Sequence, residues 1–220
     1  MKGLRFDDAT HTYLLDGEPV PSVTGVLKAA GLIDFSQIPP MTLDAALQRG
    51  RIVHQAIHFY NENDLDVAQF TREFPDYAGY FSGWLAFTQQ RSFRPVLNER
   101  RVASRKHQVA GTLDCLGYLD QTAVLLDFAT GRPQDVCKDL QTAAYHALAI
   151  EWAADDEDPE LATFLANARN VLKRYAVQLR RDGTFTLEPY ATPSDFREFL
   201  ALRDAQRILA RRRPALSEVA

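Results

Sequence analysis

Apolar residues recur at helical spacing in five segments of the chain. They predict helices over residues 21–30, 42–60, 75–90, 135–154 and 194–211. Gly31 is placed to stop the first helix, and Pro39-Pro40 breaks the chain before the second. Ser194 is suited to cap the last helix, with Asp195 in its first turn. The chain therefore contains several helices that each bury one apolar face.

Between these helices the apolar period changes to two, which is typical of strands. Residues 4–20 predict a hairpin around Asp16-Gly17, and residues 170–179 and 185–190 predict another around Asp182-Gly183. Three consecutive strands are predicted over residues 96–102, 108–119 and 123–128. The apolar run Val124-Leu125-Leu126 is typical of a buried central strand. The sequence thus predicts one α/β domain with a central mixed sheet of about five strands flanked by helices.

Composition supports a folded globular domain. Of the 220 residues, 46% are hydrophobic and 25% are charged, which excludes whole-chain disorder and a collagen-like structure. No apolar leader opens the sequence, and no segment approaches the roughly 18 apolar residues of a membrane helix. Cys115 and Cys137 are too few for a four-cysteine zinc site or an iron–sulfur cluster. We therefore expect a cytoplasmic protein without a membrane partner.

Charge is unevenly distributed along the chain. The net charge is −4, and acid is concentrated at residues 155–158. Basic residues cluster at 100–106, 173–181 and 211–213, so the mild acidity does not exclude a nucleic-acid partner. Each cluster could equally be a solvated face of the protein.

Two aspartates suggest a metal site. Asp114 and Asp127 are 13 positions apart, which suits neighbouring strands of a hairpin with side chains on one surface. Two such carboxylates repel each other, and a divalent cation such as Mg²⁺ or Mn²⁺ relieves the repulsion. The alternative is that one aspartate lies at a turn and the other pairs with an arginine.

Two helical pairs at a spacing of four accompany these acids. His54 and His58 could share a helical face, but Gln55 stands where a zinc protease needs a glutamate. Alternatively, His54 is a core residue whose ring nitrogens are hydrogen-bonded within the protein. Gln141 and Tyr145 also project from one face, where they could contact a phosphate or a base. Alternatively, Tyr145 packs in the core and Gln141 is exposed to solvent, and neither contacts a ligand.

Four motifs occur together in an order that resembles the RecB-like branch of the PD-(D/E)xK nuclease superfamily. Each motif is weak alone, but the four in this order form a strong signal. They are Arg49-Gly50-Arg51-Ile52-Val53-His54, Gly111-Thr112-Leu113-Asp114, Asp127-Phe128-Ala129-Thr130 and Gln141-Thr142-Ala143-Ala144-Tyr145. The resemblance implies a restriction-endonuclease-like core in a single nuclease domain over residues 1–220, with the core motifs at 49–145. It further implies a helical insertion at 61–95 that could cover DNA and a C-terminal helix within 191–220.

One position departs from the family pattern. Residue 129, where the family carries its catalytic lysine, is Ala129. A deliberate Lys→Ala substitution would explain why only this group is missing, whereas a natural pseudonuclease that binds DNA without cutting is the alternative. Either interpretation predicts a chain that is inactive or nearly so.

The resemblance also implies a role for each motif residue. His54, Asp114, Asp127 and the backbone carbonyl of Phe128 would hold one or two Mg²⁺ or Mn²⁺ ions, and Gln141 and Tyr145 would contact the scissile phosphate. Glu99 is expected to be an ordinary surface residue, with a further acid at the site as the alternative. The candidates for DNA binding are basic residues and one threonine: Arg49, Arg51, Arg100, Arg101, Arg105, Lys106 and Thr130.

The function implied by the resemblance is DNA hydrolysis. It would be a metal-dependent DNA exonuclease of phage or prophage recombination or end processing, in the bacterial cytoplasm. A single-strand annealing protein is the implied partner. A non-catalytic DNA-binding module and a soluble α/β protein with purely structural acids are the alternatives.

Overall fold

The computed structural model describes residues 3–131, 137–155, 157–169 and 171–212. Within them, eight strands and seven helices follow one another along the chain. In order they are β1 (Leu4–Asp7), β2 (Thr12–Leu15), β3 (Glu18–Val20), α1 (Val23–Ala29), α2 (Pro40–Asn61), α3 (Val67–Glu73), α4 (Pro75–Gln90), β4 (Arg94–Ser104), β5 (Val109–Leu119), β6 (Thr122–Ala129), α5 (Lys138–Ala154), α6 (Pro159–Asn167), β7 (Lys173–Leu179), β8 (Phe185–Tyr190) and α7 (Asp195–Arg212).

The first three strands form a small antiparallel sheet. The turn between β2 and β3 places Asp16 and Gly17 at φ angles of 54° and 98°, the left-handed conformations that a tight hairpin turn requires. The Asp16 side chain also accepts a hydrogen bond from the backbone N–H of Gly3. The hairpin predicted around Asp16-Gly17 is therefore confirmed.

The main sheet has five strands in the order β4-β5-β6-β7-β8. Neighbouring strands are antiparallel except for β6 and β7, which are parallel and are joined by a crossover through α5 and α6. Val124, Leu125 and Leu126 at its centre are fully buried, as predicted for a central strand covered on both faces. The predicted mixed sheet of about five strands flanked by helices is confirmed.

Each face of this sheet carries its own hydrophobic core. Helices α1, α5, α6 and α7 pack on one face, and α2, α3 and α4 pack on the other. Phe81, Trp84 and Phe87 on α4 are almost completely inaccessible, so these rings fill the second core. Among the described residues, no helix is long and apolar enough to cross a membrane.

The structure adds two helices to those that the apolar spacing predicted. Helix α3 begins after Asp66 and helix α6 after Asp158, and in both cases the aspartate side chain accepts a backbone N–H of the first turn. Pro159 at the first position of α6 is a further start signal that the pattern analysis did not use. The predicted starts at Asp135 and Asn170 and the segment 213–220 lie outside the described residues.

Candidate active site

Asp114 and Asp127 lie side by side on neighbouring strands. Strands β5 and β6 are antiparallel, and their paired region ends at Cys115 and Leu126, so Asp114 and Asp127 are the next residues on the two strands. Cross-strand neighbours of this kind project from the same face of the sheet. The spacing of 13 therefore corresponds to the hairpin geometry that the sequence predicted.

A third carboxylate extends the same row. Strand β4 pairs with β5 on both sides of Glu99, because Asn98 lies opposite Cys115 and Arg100 lies opposite Leu113. Glu99 is thus in register with Asp114, and three adjacent strands each contribute one acid. The backbone of Glu99 has φ 48°, a left-handed conformation that is uncommon for a non-glycine residue in a strand.

His54 approaches this row from helix α2. Its Nδ1 lies 3.6 Å from Oδ1 of Asp114 and 3.9 Å from Oε1 of Glu99. One ligand atom from each of His54, Glu99 and Asp114 lies within 4.8 Å of the other two. The structure therefore brings together two of the predicted ligands and adds Glu99, which the sequence analysis expected to be an ordinary surface residue.

The electrostatics of Glu99 show that the acids interact. Burial, together with the charges of Asp114 and Asp127, raises the pKa of Glu99 to about 8. Its side chain nevertheless keeps 35% of its surface exposed, so an incoming ion can reach it. No sequence signal distinguishes this glutamate from a surface one, since it precedes two arginines in a strand.

Asp127 is the most buried of the three acids and has an internal counter-charge. It is 1% exposed, and its Oδ2 is in contact with Nζ of Lys138 on helix α5. The pKa of Asp127 is raised to about 6, because burial and the charge of Asp114 raise it by more than the ammonium of Lys138 lowers it. The alternative, with one aspartate at a turn and the other paired with an arginine, is not what the structure shows, because both aspartates lie in strands and Asp127 pairs with a lysine.

Residue 128 connects the acids to the second core. Its backbone N–H donates to Oδ2 of Asp114 over 2.6 Å, which fixes that carboxylate. The Phe128 ring meets His54 edge-on, with 5.4 Å between centroids, and packs against Trp84. The carbonyl of Phe128 as a metal ligand stays a prediction.

The end of β6 is tied to the neighbouring strand β7 and to helix α2. Ala129 is 7% exposed, and its carbonyl accepts from Nε2 of Gln178 over 3.1 Å. Thr130 Oγ1 accepts from Nε of Arg49 on α2 over 3.3 Å. Because side chains alternate along a strand, Ala129 projects from the same face as Asp127.

Gln141 and Tyr145 lie beside the aspartates on α5. Both are buried, and their side chains are hydrogen-bonded to each other. Burial raises the pKa of Tyr145, and the nearby charges of Asp127 and Asp114 raise it as well. Tyr145 is thus packed in the interior, as the alternative to phosphate contact predicted. Gln141 is buried, whereas the same alternative predicted that it is exposed.

A groove of about 680 Å³ opens beside the acids. It is lined by Gly50, Arg51, His54, His58 and Glu99, among others. A second groove of about 840 Å³ also includes His58 and runs along β4 towards α6. The two grooves therefore meet at His58 and form an open path past the site.

The predicted DNA-binding residues differ in how their charge is compensated. Arg105 donates to Asp16, Asp155 and Glu157, so three carboxylates hold its guanidinium. Arg100 is paired with Asp158 and Glu160.

Among the described residues, no acid pairs with any of the other four basic candidates, which are Arg49, Arg51, Arg101 and Lys106. Arg49 lies over the ring of Tyr80, and Arg101 lies over that of Phe6, with 5.5 and 5.3 Å to the ring centroids. Arg51 and Lys106 are exposed, and Arg51 lines the groove beside the acids. Arg49 and Arg51 are therefore the basic residues best placed for a phosphate at the site.

The donor set fits a hard divalent cation. Carboxylate oxygens with one imidazole are ligands that Mg²⁺ and Mn²⁺ accept. Burial and, to a smaller extent, repulsion between the acids raise the pKa values of Glu99 and Asp127, and a bound ion would relieve this repulsion.

Comparison with known proteins adds little to this geometry. No protein-family model matches the chain, and no curated protein matches it. Among solved structures, it is similar to a crystal structure from Eubacterium rectale described as a "putative exonuclease". The identity is 15% and the TM-score 0.42, over 87% of this chain and 74% of the other. Similarity at this level carries no argument about the site.

Proposed function

We propose that this chain is a metal-dependent deoxyribonuclease of the RecB-like PD-(D/E)xK type. The observation that carries the proposal is the convergence of His54, Glu99 and Asp114 within 4.8 Å, with Asp127 on the adjacent strand. The order of the four sequence motifs supports it, because the residues that they contain meet at this one place. We propose that residues 1–220 form a single nuclease domain.

His54, Glu99 and Asp114 would hold the first ion, and Asp127 with the carbonyl of Phe128 would complete the ligand set. A bound Mg²⁺ or Mn²⁺ supplies Lewis acidity and lowers the pKa of its bound water. The backbone N–H of Phe128 keeps Asp114 oriented for this role. The carboxylates lie in a row, so one or two ions are compatible with the proposal.

The substrate would be DNA, bound along the grooves that meet at His58. Gln141 and Tyr145 would contact the scissile phosphate, and Arg49, Arg51 and Thr130 would neutralise or position the backbone next to it. The ion pairs of Arg100 and Arg105 make these two the weaker phosphate ligands. On the family resemblance we assign the activity to phage or prophage recombination or end processing, with a single-strand annealing protein as partner.

A digestion assay tests this function. End-labelled single- and double-stranded DNA is incubated with the protein in Mg²⁺, in Mn²⁺ and in a chelator. Metal-dependent shortening that disappears in Asp114→Asn supports the proposal. Asp120→Asn is the matched control, because Asp120 is exposed at the β5–β6 turn with φ 47°, a conformation that asparagine tolerates. Cleavage that persists in Asp114→Asn would contradict the proposal.

A DNA-binding module without catalysis is the second candidate, and Ala129 is the observation that favours it. In this case the protein binds DNA in the presence of Ca²⁺ but leaves it intact in Mg²⁺ and Mn²⁺. The Ala129→Lys variant separates the two, since cleavage of DNA by this variant supports the nuclease, whereas continued silence with retained DNA binding favours the module.

A further inference from the structure

Lys138 stands at the first position of helix α5 and reaches into the row of acids. Its Nζ contacts Oδ2 of Asp127, and its side chain is only 14% exposed. The contact joins residues 11 positions apart, across the crossover connection that leaves β6. A buried ammonium group is therefore present at the site although residue 129 is alanine.

Lys138 and the side chain of residue 129 lie on the same side of the sheet. Residues 127 and 129 project from the same face of β6, and α5 packs on this face through Leu140 and Ala144. A lysine at 129 would extend along this face towards Asp127. Lys138 reaches the same carboxylate from the helix that covers it.

The backbone around Lys138 is fixed by the interior of the protein. Thr142 Oγ1 donates to the carbonyl of Lys138 over 2.7 Å. Arg174 on β7 donates to the carbonyl of Asp139 over 2.8 Å and to Thr142 Oγ1 over 3.4 Å. Because Arg174 is itself 7% exposed and paired with Asp195, these bonds anchor the first turn of α5 to the sheet.

We infer that Lys138 is the catalytic lysine of this chain, supplied from helix α5 in place of residue 129. The inference rests on the proposed nuclease function and deepens it. On this basis the chain as it stands is an active enzyme, contrary to the sequence-based expectation that it is nearly inactive.

The assigned step is hydrolysis of a phosphodiester. The oxygen of a water molecule forms a bond to phosphorus while the bond from phosphorus to the 3′ oxygen breaks. One proton of the water passes through solvent to the leaving 3′ oxygen, and the other stays on the new phosphate until solvent removes it. Lys138 holds a positive charge beside the phosphate while negative charge develops there, and it remains protonated throughout.

A simpler role is that Lys138 only neutralises the buried Asp127. The two roles differ in what the Lys138→Met variant loses. A purely structural lysine affects folding and metal binding, whereas a catalytic lysine affects the rate constant of cleavage. Three measurements on the full chain are therefore needed: cleavage kinetics, DNA affinity in Ca²⁺, and Mn²⁺ binding by titration calorimetry.

The expected result is that the unmodified chain cleaves DNA and that Lys138→Met lowers kcat by about 10²–10³-fold. KM, DNA affinity in Ca²⁺ and the Mn²⁺ stoichiometry stay within about threefold, as measured on folded protein. Lys173→Met is the matched control, since Lys173 is exposed on β7 and has no role at the site, and it cleaves like the unmodified chain. The double variant Ala129→Lys/Lys138→Met regains cleavage.

Other outcomes overturn the inference in distinguishable ways. If Lys138→Met cleaves within threefold of the unmodified chain, the lysine assignment is wrong and the nuclease function stands. The same holds if the unmodified chain is silent and Ala129→Lys cleaves. If the unmodified chain and Ala129→Lys both fail to cleave DNA with Mg²⁺ and with Mn²⁺, the nuclease function itself is wrong. If Lys138→Met does not fold, the double variant decides, because a folded but silent double variant contradicts the assignment.

Discussion

Gly111 lies directly against the ring of Tyr145. A Cβ atom built on Gly111 would be 2.6 Å from Cε1 of Tyr145 and 3.4 Å from Cγ2 of Val23. The glycine that opens the segment ending in Asp114 is thus required by the close approach of α5 to β5. This approach places the phenol of Tyr145 beside the aspartates.

Gly111→Ala is expected to destabilise the fold by about 1–3 kcal/mol, because the added methyl group overpacks the contact with the tyrosine ring. Urea unfolding measures the change. The variant Tyr145→Leu removes the ring edge, so the double variant should lose less stability than the two single changes added together. Strict additivity in this cycle would contradict the proposed contact.

Gly50→Ala is expected to have opposite effects on stability and on DNA binding. A Cβ atom at Gly50 has only Thr130 Oγ1 at 4.0 Å for a neighbour, so alanine in the interior of α2 should raise the free energy of unfolding by about 0.5–1 kcal/mol. The same methyl group would project into the groove beside Arg51, where we place the DNA backbone. Fluorescence anisotropy in Ca²⁺ should therefore show weaker DNA binding by this more stable variant.

Mn²⁺ is expected to raise the melting temperature of the unmodified chain, and Asp114→Asn should abolish the increase. A ligand that binds only the folded state stabilises it by mass action. Thermal scans with and without Mn²⁺ measure the effect, and Asp120→Asn should keep the full increase. An increase that survives in Asp114→Asn would place the ion elsewhere.

Without metal, the free energy of unfolding should fall as the pH rises from about 4.5 to about 8. The pKa of Glu99 in the folded state is about 8 compared with an ordinary value of 4.5, so over this range the folded chain binds more protons than the unfolded chain. Asp127 contributes in the same direction between 3.8 and about 6. Urea unfolding at several pH values in a chelator measures the slope.

The Glu99→Gln variant isolates the larger contribution. It should flatten the dependence above pH 6, where Glu99 is the group still titrating, and leave the Asp127 portion below that. Glu18→Gln, which changes an exposed residue of β3, should retain the slope of the unmodified chain. A Glu99→Gln curve as steep as that of the unmodified chain would show that this carboxyl titrates normally.

Arg174→Met should destabilise the protein by about 3–5 kcal/mol, because it leaves the buried carboxylate of Asp195 without its partner. Replacing both residues, as Arg174→Met/Asp195→Leu, removes the unpaired charge and should restore much of the loss. Urea unfolding of both variants measures this difference. Equal stability of the single and double variants would contradict the pairing.

Much of the fold follows from local patterns in the sequence. The hairpin at Asp16-Gly17, the central strand at Val124-Leu125-Leu126 and helix α4 were each predicted, because turn chemistry and apolar periodicity act over a few residues. The relation between Asp114 and Asp127 was also predictable, since one hairpin sets the register of both. For His54, the order of the motifs supplied what periodicity could not.

Other features depend on packing between segments that are distant along the chain. Glu99 joins the site through the register of β4 and a left-handed φ angle, neither of which has a signature in its neighbouring residues. Lys138 reaches Asp127 only because α5 crosses back over the sheet, and the spacing from residue 127 to 138 contains no hint of that contact. Arg174 belonged to a basic cluster in the sequence but is buried in the structure.

The contact between Lys138 and Asp127 also bears on how the protein tolerates chelation. Small zinc domains unfold when stripped, because their ligands have no substitute for the ion. Here the least accessible acid keeps a tethered cation of its own, and Glu99 remains able to take up a proton. We therefore expect the fold to persist without the ion, although a bound ion would still stabilise it by mass action, so that a stripped preparation could be stored folded and supplied with metal before use.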